Sequence, residues 1–172
     1  MKRHGLGVLA SAGLLFGGGS VFAQEPVVGV GDPDALFHSS DPKLDANKQV
    51  AYHILRDILE AGRSEAVDRY LTERYIQHNP NIPSGRDELR KSLLTRKPKP
   101  VAPKLAARVV SVVAEGDYVI VSVAHQLPDP KRRGSTYTTT HFDMWLIREG
   151  KADEHWDGAL LGPPPGPPPS DP

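Results

Sequence analysis

In Thr140-His-Phe-Asp-Met-Trp-Leu-Ile-Arg-Glu-Gly-Lys-Ala-Asp-Glu-His-Trp-Asp157, apolar and polar residues alternate on both sides of a glycine. That pattern predicts two antiparallel strands joined by a tight turn at Arg148-Glu-Gly150. A three-residue loop with Gly in the left-handed position suits Arg-Glu-Gly. Its register pairs Ile147 with Lys151, and therefore Asp143 with His155 and His141 with Asp157. Alternate residues share a face, so His141, Asp143, His155 and Asp157 are expected together on one side of the sheet. A two-residue loop would put the two pairs on opposite faces, because one residue of slip inverts every side chain.

Working back from this hairpin, Leu127 to Ser135 reads as a polar, exposed loop in which Lys131-Arg-Arg133 is a solvated run. Before it, Ala107 to Ala114 and Tyr118 to Gln126 form a second, Val-rich hairpin around Glu115-Gly116. His125 follows Val119, Val121 and Val123 in alternation and shares their face, inner or outer. Pro98-Lys-Pro100 and Pro103 stop the helical pattern that precedes the strands. That pattern predicts three helices. Asp45 caps the first, with Val50, Ala51, Ile54, Leu55, Ile58 and Leu59 at helical spacing and Gly62 at its end. Ser64 caps a short second helix, and Ser84 caps a third carrying Leu89, Leu93 and Leu94. His53, among apolar residues of the first helix, reads as a core or boundary histidine. Helices first and an antiparallel, strongly curved sheet afterwards mean an α+β fold, with a small-molecule pocket between the layers.

The ends read differently. Lys2 and Arg3, the apolar run Leu6 to Phe16 and the small residues of Ser20-Val-Phe-Ala23 have the form of a signal peptide cleaved after Ala23. The run is too short to be a permanent membrane anchor, and the compartment expected is the periplasm or beyond. Residues 24–43, rich in Gly, Pro and Asp, read as a loosely held arm, and residues 162–172 as a polyproline tail. The chain has no Cys, so its stability rests on the core. Removing Lys2 and Arg3 from the 21 basic residues leaves 19 against 21 acidic ones, a formal charge of −2. That excludes the basic footprint of a nucleic-acid binder.

The order of elements, with Tyr75-Ile-Gln-His-Asn-Pro80 after the second helix and Phe142-Asp-Met-Trp…Glu149-Gly-Lys…Glu154-His-Trp-Asp157 at the end, resembles the SnoaL-like family. The resemblance covers about residues 44–161. It implies the cone-shaped α+β barrel of the nuclear transport factor 2 superfamily, a small-molecule ligand and a homodimer. The name-giving relatives are polyketide cyclases that close a ring by cofactor-free aldol condensation. The resemblance puts the acid/base on Asp157, with Asp143 beside it and His78 and Asn79 facing the same pocket. The export signal and the Pro-rich tail depart from those cytoplasmic enzymes.

Such chemistry needs a base beside a carbonyl and a donor for the enolate oxygen. The expected catalytic set is Asp157, Asp143 and His78. The expected ligand-contacting set is Asn79, His155, His141, Trp145, His125 and Tyr75. Structural roles compete for each: the aspartates as strand cross-links, His78 as a helix-end histidine, Trp145 as core. A non-catalytic binding or structural module is the alternative function. A His/Asp metal site is a weaker one, since no tight metal-ligand spacing is present, and no metal or other cofactor is expected.

Overall fold

A computed structural model describes residues 25–162. The expected signal peptide, residues 1–23, and almost all of the proline-rich tail therefore lie outside the described residues. The arm is held rather than loose. Val30 N–H bonds Val109 C=O at 2.8 Å, Phe37 in a short 3₁₀ turn (Asp34–Phe37) is fully buried, and the Asp34 carboxylate accepts from Leu105 N–H and the Tyr52 hydroxyl. The sequence reading took the Gly and Pro content as looseness and missed Phe37 as its anchor.

Helix α1 spans Pro42–His53. Asp41, not Asp45, is its cap. The Asp41 carboxylate accepts from Lys43 and Leu44 N–H, and Pro42 occupies the first turn where its missing N–H costs nothing. Asp45 instead accepts from Ser39 N–H, and that bond holds its carboxyl below the usual range. The helix continues in π-type turns over Ile54–Glu60. A 3₁₀ turn at Ser64–Ala66 leads into α2 (Val67–Tyr70), without the expected Ser64 side-chain cap. Strand β1 (Leu71–Gln77) follows, then α3 (Arg86–Leu94). Ser84 does not cap α3. Gly85 holds the capping position at φ 117°, and the Ser84 hydroxyl accepts from Gln77 N–H.

Strands β2 (Val109–Glu115), β3 (Tyr118–Pro128), β4 (Thr136–Arg148) and β5 (Lys151–Asp157) complete a five-stranded sheet ordered β1-β5-β4-β3-β2. The fold is α+β, as expected. One strand was missed: β1 lies between the helices and pairs parallel with β5. Its sequence hides it, because only Leu71 and Tyr75 are buried and a charged Thr72-Glu-Arg74 run separates them.

The β4–β5 turn also differs from expectation. Arg148 pairs with Lys151, so the loop is Glu149-Gly150 alone, with both residues left-handed at φ 52° and 72°. On its own, this loop would separate the acid–histidine residues onto two faces. A bulge reverses the slip: Ile147 pairs with Ala152 but Leu146 pairs with Glu154, leaving Asp153 extra. From there Trp145 opposes His155 and Asp143 opposes Asp157. The shared face survives, and the cross-strand partners move by two residues. Asp153 is buried and tied to Arg74, Thr72 and Arg148.

The concave face carries Val119, Val121, Val123, Trp145, Ile147 and Ala152 against Val50, Ala51, Ile54, Leu55 and Ile58 of the first helix. Each buried Val, Leu or Ile among them contributes about 1.5–3 kcal/mol. The opposite, convex face leaves Val113, Tyr118, Ile120 and Phe142 exposed.

Candidate functional site

Exposure rises along the concave side of β4. Trp145 is 1 % exposed, Asp143 is 8 % exposed, and His141 is half-buried. The core thus fills the deep part of the curve, and the polar cluster sits above it at the rim.

Asp143 and Asp157 stand directly opposite each other on β4 and β5. Like charges in that position repel, so their other contacts decide whether the pair is tolerable. Asp157 is oriented by two donors: the Asn79 amide at 2.6 Å and Ala159 N–H at 2.9 Å. Asp143 Oδ1 lies 3.0 Å from His155 Nε2 and 3.5 Å from His141 Nε2. On its other side, His155 Nδ1 lies 2.7 Å from Gln77 Oε1.

Gln77 fixes the direction of this chain of bonds. Its Oε1 also accepts from Asn79 N–H at 3.0 Å, which can only donate, so the amide oxygen and not the nitrogen is turned inward. His155 Nδ1 therefore donates to Gln77, and the contact of Nε2 with Asp143 requires a proton between imidazole and carboxylate. The Trp145 ring lies tilted beneath His155 at 5.2 Å. Tyr75 is buried beside Trp145. Burial, aided by the nearby Asp143 and Asp157 charges, pushes its hydroxyl above the ordinary tyrosine value, so it stays a neutral hydroxyl.

The structure thus brings Tyr75, Asn79, Asp143, Trp145, His155 and Asp157 together, with His141 at the edge. His125 is exposed but on the same side: its ring stacks on His141 at 5.0 Å and 8°. His78 is the exception. It lies on the convex side, stacked on Trp156 at 4.6 Å, with Nε2 3.1 Å from Glu154 Oε2. The expectation that it faces the same pocket as Asp157 is corrected. In a strand, alternate residues share a face, so reading β1 as a strand would have paired Tyr75 with Gln77 and turned His78 away. Gln77 is the residue sequence reasoning passed over. His53 is half-buried as expected, stacked on Tyr70 at 4.9 Å.

One ligand atom each from His141, Asp143 and Asp157 can be chosen so that all lie within 4.8 Å of one another. Among the described residues this trio has the spacing to hold a cation.

A groove of about 620 Å³ opens beside the cluster between the π-type turns, the 99–108 segment and the end of β3. His125 and Val123 form its wall on the cluster side. On the convex face, an apolar hollow of about 460 Å³ is lined by Tyr118, Ile120, Met144 and Trp156 among others.

The family profile described as the SnoaL-like domain matches residues 53–155, more than half of the 172-residue chain. The chain belongs to the SnoaL-like family. The matched SnoaL-like stretch contains Tyr75, Gln77, Asn79, Asp143 and His155, and Asp157 lies two residues past its end. Curated proteins give no match. Similar solved structures include a candidate SnoaL-like polyketide cyclase from Jannaschia sp. CCS1. It is 15% identical, over 70% of this chain and 91% of that one, with a TM-score of 0.48. A candidate polyketide cyclase from Acidithiobacillus ferrooxidans is 17% identical over 69% of this chain and 89% of that one, with a TM-score of 0.46. A protein of unknown function with a cystatin-like fold, from Xanthomonas campestris, is 16% identical over 64% and 88%, with a TM-score of 0.46. No helix among the described residues is long and apolar enough to cross a membrane.

Proposed function

We propose that this SnoaL-like domain binds a small, mostly apolar carbonyl compound at the rim and performs acid/base chemistry on it without a cofactor, as in an aldol-type closure or an isomerisation. The observation that carries this reading is the facing pair of carboxylates, Asp143 and Asp157, each oriented by fixed partners on one face of the sheet.

In this reading Asp157 removes a proton from the carbon next to the carbonyl. The bond electrons pass to the carbonyl oxygen, and the enolate is held by a neutral donor, a role open to the second N–H of the Asn79 amide beside Asp157. In an aldol closure the enolate carbon then attacks a second carbonyl carbon of the same molecule, and the new alkoxide takes up the proton. Asp157 returns that proton to the alkoxide, while His155, held between Gln77 and Asp143, keeps the facing carboxylate of Asp143 in place. Export after Ala23 and a homodimer through the apolar convex face belong to the same proposal. The exposure of Val113, Tyr118, Ile120 and Phe142 supports the latter.

Native mass spectrometry of the purified protein tests the reading, with Asp157→Asn and His78→Ala beside the wild type. The expected result is a bound organic carbonyl compound lost in Asp157→Asn and kept in His78→Ala, whose side chain faces the other way. Retention in both variants would leave the non-catalytic module as the better account. The spacing of His141, Asp143 and Asp157 supports a second reading, a bound divalent cation. A stoichiometric zinc or copper mass, removed by chelator and absent from His141→Ala, would put that reading first.

A further inference from the structure

Among the described residues, two positive charges in the groove beside the cluster form no ion pair. Arg56, Glu60, Lys99 and Arg108 all line it. Arg56 is already committed, its Nε donating to the buried Asp57 carboxylate at 2.8 Å. Glu60 is turned into the backbone, where it accepts from Ala106 N–H at 3.1 Å and Ala107 N–H at 2.8 Å. Lys99 and Arg108 are left, and neither side chain has a carboxylate partner among the described residues. Apolar residues make up much of the remaining lining: Leu59, Pro100, Ala102, Val123 and Ala124.

Arg108 is also held in place from both sides. Its C=O accepts from Ala124 N–H of β3 at 2.8 Å, and the arm crosses so close that a Cβ on Gly29 would sit 2.7 Å from the Arg108 carbonyl carbon. A backbone fixed in this way loses little freedom when its side chain takes up a ligand.

We infer that this groove binds an acidic head group on an apolar body, Lys99 and Arg108 taking the anion and Val123, Ala124, Leu59 and Pro100 taking the hydrocarbon. Its volume is in the range of small-molecule sites. An Arg meets a carboxylate with two parallel N–H donors and a Lys adds a point charge, so both favour an anion over a neutral hydroxyl. The groove also has a direction. Its wall residue His125 stacks on His141, whose Nε2 is 3.5 Å from Asp143, so a ligand anchored at Arg108 extends toward the two facing carboxylates. The substrate class of the proposed reaction is then a carbonyl compound that also carries an acid. This extension rests on the rim being the reacting end; the anion preference of the groove does not.

Isothermal titration of the purified protein with decanoate and with decanol tests the inference. Decanoate is expected to bind about tenfold more tightly than decanol, the gain of a charge-assisted contact. The preference is expected to vanish in the Lys99→Gln/Arg108→Gln double variant, whose changes are exposed and whose fold is checked by circular dichroism. In a labelled sample, His125 and Ala124 amide signals are expected to shift with decanoate. Equal affinity for the two probes, a preference that survives the double variant, or no decanoate binding would each overturn it. Asp157→Asn separates the two proposals. A decanoate preference intact beside carbonyl binding indifferent to Asp157 would remove the rim reading and leave the groove.

Discussion

The sheet carries an acid–histidine contact on each face, and the two are unalike. On the concave side His155 and Asp143 meet at 3.0 Å with both side chains nearly closed to solvent (8 % and 12 % exposed). On the convex side His78 and Glu154 meet at 3.1 Å with His78 side chain 40 % exposed. The distances are almost equal, and the surroundings are not. Water competes for the outer pair and screens it, so it contributes little to stability or to orienting a ligand. The inner pair has no such competitor. Its third partner, Gln77, settles which nitrogen carries which proton, and its neighbour Asp157 adds a second carboxylate. What gives the inner set chemical promise is a low-water setting and a fixed direction of hydrogen bonding, since both faces hold similar groups.

The sharpest way to break this comparison is to exchange the faces. An Ala inserted between Glu154 and His155, with the Glu149-Gly150 turn and the Asp153 bulge retained, would send His155 and Asp157 outward and bring Trp156 inward. Loss of cooperative unfolding by circular dichroism is expected. A native-like protein with Tyr75 and Trp145 still packed would show that a second bulge absorbs the added residue and that strand length does not set the faces. Next, Trp145→Ala removes the floor under His155 and is expected to cost about 3–5 kcal/mol in a denaturant titration. Third, Asp143→Ala leaves the buried His155 Nε2 without its carboxylate partner and should cost about 2 kcal/mol, against about 0.5 kcal/mol or less for Glu154→Ala on the exposed side. Equal costs would erase the distinction between the faces.

The smallest effect expected is one of pH. Arg74 beside it, helped by Thr72 and opposed by burial, holds the Asp153 carboxyl below the usual carboxylate range. A lowered carboxyl stabilises the fold fully above its unfolded value of about 4, and that contribution fades as pH falls through the lowered folded value. Thermal melts should therefore drop more steeply below about pH 4 in the wild type than in Asp153→Asn. Parallel curves would show that Asp153 acts by shape alone.

Much of this was legible in the chain. Alternation around Gly150 placed both strands, and it placed His141, Asp143, His155 and Asp157 on one face. The route to that face was misjudged. A three-residue loop and a two-residue loop followed by a one-residue bulge shift the register by amounts of the same parity, so the pattern of apolar residues cannot tell them apart. The sequence does hold a trace of the bulge: Ala152-Asp-Glu154 sets two acids side by side where strict alternation allows one outward residue. The facing of Asp143 by Asp157, and not by His155, depends on that extra residue. β1 was not legible, because a parallel edge strand with two buried residues has almost no period. With it went the placement of Gln77 and His78, which depends on the strand and not on the motif. The helix caps were misplaced by a few residues because several Asp and Ser residues stand near each helix start, and only backbone geometry chooses among them.

The arm has a consequence for the sheet as a whole. In the order β1-β5-β4-β3-β2, strand β2 is an outer strand, and its Val109, Val110, Val112 and Val113 would offer an inviting edge for another chain to pair with. The residues ahead of the first helix run beside the start of that edge, joined to it through the Val30–Val109 bond. They therefore guard against runaway strand addition, and a chain trimmed before residue 32 trades a solvated border for an adhesive one.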